Sequence, residues 1–486
     1  MSRAPSMTRR VLGWTRRAAA AGVSVCALVG AIRLTVPATA GLPTGAGVSA
    51  SVGVGGSASP VSAGVAAGVD GGMSGGGGEP AGVRRQLAFV RSALDAGAGD
   101  EAQHLFPEGF FFLHALYGLA WVELGMREPA GERSGALREA RWALARLDSP
   151  AGRAPLSRDL VPSHGVFYRG WTNWLRGGVL ALQPGDSRDA GELRRFADDS
   201  AALGDAFDAS ASPYLAAYPE QAWPVDSTVA MASLRLHDAL LPPRYGGTVE
   251  RWLRKVRQRL DPRTGLLPHR ADPGTGQAAE SAGEALEVAR GSSQSVIQRF
   301  LIEVDPGFAR DQYLRFRELF VVSPLGLGPA TREYPIGMDG PGDVDSGPLP
   351  LGTSLSASVV TLGAAQSQGD TALAGALANY GELVGVPVGT PWTKRYAFGL
   401  MPIGDAFLAW SKTALPWVVV PPSPPVASIS AWWRAPWLAL LLVAGALPWL
   451  PTLLRHRRRR RTPTAAGVAG VAGAAGAGTA VSRREG

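Results

Sequence analysis

The feature that most constrains this 486-residue chain is an alternation of two kinds of helix. Between about 81 and 417, long stretches with a 3.6-residue apolar period are separated by Pro/Gly turns, and no stretch alternates convincingly with period two. The helices fall into pairs. The first of each pair is apolar or small nearly all round, and the second is amphipathic and rich in Arg, Glu and Asp. The pairs are 108–125 with 131–147, 165–182 with 188–209, 226–241 with 247–260, 292–303 with 306–320, and 348–368 with 370–387. A sixth apolar helix, 403–415, has no partner after it, and the helix at 83–96 is placed to pack outside it. First helices recur roughly every 55–65 residues, a structural repeat. A helix apolar all round must be buried, whereas an amphipathic one faces solvent on one side. Six buried helices inside six amphipathic ones predict an all-α fold, an (α/α)6 toroid of helical hairpins. The alternative, an open solenoid, would expose a long face on every inner helix.

Two apolar segments flank this domain. Near the N-terminus, Arg9, Arg10, Arg16 and Arg17 precede an apolar run from Ala18 to Ile32. That is the pattern of a secretory signal. Ala38-Thr39-Ala40 suits cleavage before Gly41, and an uncleaved signal anchor is the alternative. Cys26 lies inside the run as an ordinary apolar residue. Near the C-terminus, residues 435–454 read APWLALLLVAGALPWLPTLL, long enough to span ~30 Å of hydrocarbon. Trp432, Trp433, Trp437 and Trp449 sit at its ends as interfacial anchors, and Arg455 and Arg457 to Arg461 follow.

Charge agrees with this topology. Residues 1–40 carry six arginines and no acid, and residues 434–486 carry nine arginines and one acid. The region between them carries a net charge of −6, so the formal +8 of the whole chain does not argue for nucleic acid as a partner. It argues for a membrane partner, with the arginine-flanked ends on the cytoplasmic side and the domain outside. The expected organisation is a signal peptide or anchor over 1–40, a Gly/Ala/Ser-rich linker over 41–80, and the helical domain over 81–417. A proline-rich spacer follows over 418–430, then a transmembrane helix over 431–455 and a basic, disordered tail over 456–486. A single cysteine excludes a disulfide scaffold, a thiolate zinc site and a CxxC redox site. The chain has no HExxH motif, close histidine pair, GxSxG elbow or Walker loop, so no metal and no cofactor are expected.

In a toroid the loops before the inner helices gather at one end. Those loops carry the unusual residues. The second has His164, Tyr168, Trp171 and Trp174. The third reads Tyr218-Pro-Glu220, then Trp223-Pro-Val-Asp226. The fourth has Arg290-Gly-Ser292-Ser293. The fifth reads Arg332-Glu333-Tyr334-Pro335, then Asp343-Val-Asp345-Ser346-Gly347. The sixth has Trp392, Lys394, Arg395 and Tyr396 before Asp405. A Tyr-Pro, a gap and an Asp at the helix start occur in both the third and the fifth.

The turn Asp261-Pro-Arg-Thr-Gly-Leu-Leu-Pro-His269, the Arg290-Gly-Ser-Ser293 motif and the stretch REYPIGMDGPGDVDSGPL together resemble toroid proteins of the linalool dehydratase/isomerase-like kind. More broadly they are similar to six-hairpin glycosidase and terpenoid-cyclase toroids. The resemblance covers about 220–400 by motif and 100–220 by helix pattern. It implies a central pocket. Linalool dehydratase/isomerase uses pocket cysteines, and this domain has none, so that activity does not carry over.

Aromatic rings beside carboxylates suit sugars, whose CH faces stack on rings and whose hydroxyls bind carboxylates. Glycoside cleavage needs two carboxyl groups, an acid and a base or nucleophile. The candidates are Asp226, Glu333 and Asp345, with Glu220 and Asp343 in reserve. Substrate-binding candidates are Trp171, Trp174, Tyr218, Trp223, His269, Arg290, Arg332, Asp343 and Tyr396. Each has a structural alternative. Asp226 and Asp345 equally suit N-caps, Glu333 an ion pair with Arg332, the aromatics a core, and His269 a turn. The expected function is a membrane-anchored hydrolase or lyase on envelope or extracellular glycans, with Asp226 as acid and Glu333 as base. The alternatives are a non-catalytic envelope protein binding a glycan, lipid or protein, and a terpenoid- or lipid-active enzyme with an apolar small-molecule ligand.

Overall fold

A computed structural model describes residues 7–35, 82–281, 284–425 and 429–461. The expected linker, the cleavage site at 38–41 and the tail beyond 461 lie outside the described residues. The chain divides into two units: Met1–Ile32 with Trp437–Gly486, and Arg33–Pro436. Three helical stretches are long and apolar enough to cross a membrane: Trp14–Thr35, Gly109–Met126 and Ala431–Arg455. The middle one is 83% buried within the protein, so its hydrophobicity belongs to a core.

In the small unit, helix α1 (Met7–Thr35) lies against the C-terminal helices. Ser24 Oγ donates to Gly445 O at 2.8 Å and accepts from Trp449 Nε1 at 2.9 Å. Gly445 and Gly30 allow this approach, because a Cβ there would lie 3.2 Å from Ala27 and 3.0 Å from Leu441.

The large unit is mostly helical. It contains α2 (Val83–Asp95), α3 (Ala98–Leu105), α4 (Gly109–Met126) and α5 (Ser134–Leu147). Then come α6 (Gly165–Ala181), α7 (Ala190–Ala209), α8 (Pro224–Leu240), α9 (Gly246–Arg257), α10 (Gly291–Val304) and α11 (Pro306–Phe320). The last are α12 (Leu355–Ser367), α13 (Thr371–Val384) and α14 (Pro402–Thr413), before α15 (Arg434–Ala446) and α16 (Leu450–Arg461) leave it. Helix α4 is buried along nearly its whole length, as its unbroken apolar sequence requires. Its partner α5 buries Ala136, Ala140, Ala143, Leu144 and Leu147, one stripe at helical spacing. Each of α4, α6, α8, α10, α12 and α14 packs against the next, and α14 packs against α4. The even-numbered helices from α4 to α12 each pack against the helix that follows them, and α2 packs against α14.

Capping differs among the helices, and Ser354 caps α12, accepting from Ala357 N at 3.1 Å. Asp189, Asp305 and Asp370 cap α7, α11 and α13, accepting from Glu192 N, Phe308 N and Leu373 N at 2.8–3.1 Å. By contrast α4, α6, α8, α10 and α14 begin without a side-chain cap. Their positive dipole ends face what the preceding loops present, as where Ser292 N at the start of α10 donates to Glu333.

One expected helix is shorter than its sequence suggests. The segment 348–354 is a 3-10 turn, Pro350–Gly352, followed by a short strand, Thr353–Ser354. Pro348 and Pro350 cannot donate helical hydrogen bonds. The strand pairs with Ala330–Arg332, which pairs with Val321–Val322. Asp345 therefore sits ten residues before α12 and is not at a helix start. The proline-rich stretch after 417 is bound to the domain rather than free. Trp417 N and Val418 N donate to Glu303 at 2.7 and 2.9 Å, and Arg310 Nη2 donates to Ser423 O at 2.8 Å.

A buried ion pair ties the C-terminal halves of α10 and α4 together and to α14. Arg299 on α10 bonds Glu123 on α4, donates to Trp410 O at 3.0 Å, and lies 3.5 Å over the Trp410 ring. Thr413 Oγ1 donates to Glu123 at 2.6 Å. Both ions are less than 5% exposed.

Candidate active cleft

Carboxyl groups from three separate loops meet at the helix N-termini. Asp226 is the third residue of α8, held there because Pro224 pre-sets the first turn and Asp226 N donates to Trp223 O at 3.1 Å. Its carboxyl group does not cap the helix. Burial drives its pKa well above the usual range. The Trp171 indole N–H opposes this without reaching full hydrogen-bond geometry, and the charges of Glu108 and Asp345 add to it. Glu108, just before α4, accepts from the Tyr218 hydroxyl and is also raised, by burial and by Asp345. Asp345 is exposed along its side chain, yet the surrounding walls and the Asp343 charge push it up to about 6. No described group hydrogen-bonds its carboxylate.

Aromatic rings line the same place. Tyr218 stands edge-on to Trp223 at 5.4 Å and stacks with Phe167 at 6.5 Å. Phe112 bridges Phe167, Trp171 and Phe407 at 5.3–5.7 Å. Tyr218, Trp223, Phe112 and Phe407 are half-buried at the edge of the core. Trp171 is buried beneath them against Phe300 and Trp410.

A polar wall adjoins the carboxyl groups. Asp343 accepts from Asp345 N at 3.1 Å and Ser346 N at 2.9 Å, which fixes the turn that presents Asp345. Burial would raise the Asp343 carboxyl, but those bonds and Arg290 hold it below its ordinary value. Arg290 bonds Asp343, reaches Glu287 at 3.3 Å and lies 5.2 Å over the Tyr334 ring. Gly291 is required here, since a Cβ would lie 1.9 Å from Arg332 O where the Glu333 strand passes. Glu333 is fully buried, with Ser292 Oγ and Ser292 N donating to its two oxygens at 2.8 and 3.0 Å. Burial outweighs those bonds and lifts it to about 7. His269 is likewise buried, its Nδ1 2.5 Å from Ser293 Oγ. Burial and the nearby Arg290 depress it to about 3, so it is neutral.

The candidates thus separate. Asp345 is exposed and Tyr218 and Trp223 are half-buried, Asp226 and Trp171 lie buried beside them, and Asp343, Arg290, Glu333 and His269 form one adjoining wall. Arg332 does not pair with Glu333. It binds Tyr334 O at 3.1 Å, Met338 O at 2.8 Å and Asp339 at 2.6 Å, because the strand turns alternate side chains to opposite faces. Trp174 lies deep in the core, stacked on Trp417 at 4.3 Å, away from the opening. Tyr396 belongs to another cluster, where its hydroxyl meets Glu382 and Lys412 and its N–H donates to Asp405 at 3.2 Å. Burial would raise Glu382, but Lys412 and Lys394 hold it near 2. Glu220 is exposed. Glu108 is the residue that motif reading misses. The first loop reads Phe106-Pro107-Glu108, which echoes Tyr218-Pro219-Glu220 with phenylalanine in place of tyrosine, and that is the signal that could have found it. No family model matches the chain, and no curated protein matches it in sequence.

Proposed function

We propose that the six helix pairs form an (α/α)6 toroid of the linalool dehydratase/isomerase-like or six-hairpin glycosidase kind, and that its cleft cleaves glycans of the envelope or extracellular space. One observation carries this reading: Glu108, Asp226 and Asp345 are gathered within electrostatic reach among half-buried aromatic rings, and the last two lack full partners. Gathering unpaired carboxyl groups costs stability, and folds keep such arrangements for chemistry. Asp226, held protonated, is the acid that gives its proton to the leaving oxygen. Asp345, ionised at neutral pH, is the base. Glu333 loses that role, since it is fully buried on Ser292 and positions the wall instead. The aromatic floor also supports a second reading, an apolar terpenoid or acyl ligand, but such a ligand gives no reason for three carboxyl groups.

The test is a screen of envelope and plant polysaccharides with the intact protein. New reducing ends report a hydrolase, and ultraviolet absorbance of an unsaturated sugar reports a lyase. Asp345→Asn is expected to lower either signal by about 10²–10⁴-fold. Full activity in that variant excludes the base assignment.

The same reading places the domain outside the cytoplasm. A reporter active only outside the membrane is expected to give signal fused at position 420 and none at 470, and the reverse pattern overturns the orientation. We also infer that the N-terminal helix is retained as an anchor. Leu34 is fully buried in the large unit, and its carbonyl accepts from Asn379 Nδ2 at 2.9 Å and Arg434 Nε at 3.0 Å. The N-terminal sequence of membrane-purified protein is expected to precede α1. A start at Gly41 overturns retention.

A further inference from the structure

The two ends of the large unit, Arg33–Leu34 and Trp433–Arg434, meet at α13. Besides the Leu34 contacts, Arg33 Nη2 donates to Pro387 O at 2.9 Å, and Trp433 stands edge-on to Tyr380 at 5.8 Å. The segment Ile429–Trp433 and the loop Val321–Pro329 wall a single groove of about 440 Å³. The loop Val321–Pro329 therefore lies beside the end of the large unit from which the C-terminal apolar helix continues.

This and other loops expose large apolar side chains. Leu325, Leu351, Trp392, Phe398, Leu400 and Trp432 are 63–81% exposed. Three of them are held there by the backbone. Leu325, Leu351 and Phe398 are the central residues of the turns Pro-Leu-Gly, Pro-Leu-Gly and Ala-Phe-Gly, with φ of 52°, 54° and 59°. A left-handed conformation is unfavourable for such residues, and here it recurs three times with an apolar side chain at the tip. Exposure of these side chains to water gives nothing in return for that strain. Basic groups accompany them: Arg395 and Arg85 are exposed, and Arg85 braces the Trp392 loop through Thr390 O at 3.0 Å.

We propose that this face is a membrane-docking surface that seats in the interfacial layer of the bilayer crossed by the chain's own apolar helices. Leu325, Leu351 and Phe398 act as wedges among the acyl chains, Trp392 and Trp432 lie at headgroup depth, and the arginines meet anionic headgroups. Lipid is the occupant favoured over a protein partner because the patch includes Trp432, at the start of the C-terminal apolar span, and combines aromatic, aliphatic and basic groups. The docking surface stands whether or not the cleft is catalytic.

The test uses the full chain with Cys26→Ser, reconstituted in mixed phosphatidylcholine and phosphatidylglycerol vesicles. Single cysteines replace Leu325 or Phe398, with Val161→Cys as a control at an equally exposed apolar position before α6. Each carries an environment-sensitive fluorophore. Lipid-borne nitroxide is expected to quench the labels at 325 and 398 several-fold more than the label at 161. Equal quenching at all three positions, or quenching of 325 and 398 by an aqueous quencher alone, overturns the proposal. Protection from both quenchers also overturns it and indicates a protein partner.

Discussion

Replacing Arg299 with methionine is expected to destabilise the protein by about 3–5 kcal/mol, measured by urea unfolding of the detergent-solubilised chain. Glu123 is 2% exposed and its bond to Arg299 spans α4 and α10. Burial already raises the Glu123 carboxyl, and Arg299 is the first group opposing that rise. Without the guanidinium, Glu123 keeps only Thr413 and the more distant Arg127 charge against the cost of burial. The Trp410 ring also loses the cation stacked on it, and Trp410 O loses a donor. The double replacement Arg299→Met with Glu123→Leu is expected to recover most of the loss, because paired apolar groups of similar size pack without desolvating a charge. A single variant within about 1 kcal/mol of wild type would show that the ion pair does not hold these helices.

What the sequence conveyed follows from the range of each signal. Alternating all-round and one-sided apolarity is local and strong, so the helix pairs α4–α5 to α12–α13 and the outer place of α2 were legible. The strand Thr353–Ser354 was not, because two residues carry no periodicity and the pairing with Ala330–Arg332 is long-range. That miss moved Asp345 from an expected helix start into an Asx turn. The convergence of Asp226 and Asp345 was inferable from the repeat, because equivalent loops must meet if the helices do. The separation of Arg332 from Glu333 was not, since neighbours in sequence lie on opposite faces of an extended strand. Tyr396 was misplaced for a similar reason. It shares a loop with residues near the opening, but Glu382, Lys394 and Lys412 supply the only charge-rich surroundings its hydroxyl can reach, and that cluster lies between α13 and α14. Glu108 carried a weaker signal, Phe106-Pro107-Glu108 against Tyr218-Pro219-Glu220, and the coupling to Asp226 marks it in three dimensions.

Asp226→Asn is expected to change activity and stability in opposite directions. As the proton donor, Asp226 must ionise during turnover, and an amide cannot, so the rate on a cleaved glycan is expected to fall by about 10²–10⁴-fold. Stability is expected to rise at neutral pH by about 1–2 kcal/mol, the usual gain when a group kept for function is neutralised. The sign follows from the raised folded pKa. Stability from the protonated carboxyl is fully present below the unfolded value of about 3.9 and is lost as pH rises through the folded value. Glu333 and Asp345, raised to about 7 and about 6, act in the same direction in both proteins. Wild type therefore loses stability on going from about pH 4.5 to 8, and the variant loses less, so the gap between their melting temperatures widens with pH. The wild-type rate profile carries the complementary signature, falling below about 6 as Asp345 takes up its proton. A variant less stable than wild type across the whole range would mean that the carboxylate supports the α8 terminus, and the acid would have to be sought at Glu108, whose carboxyl shares the cleft and whose partner is the Tyr218 hydroxyl.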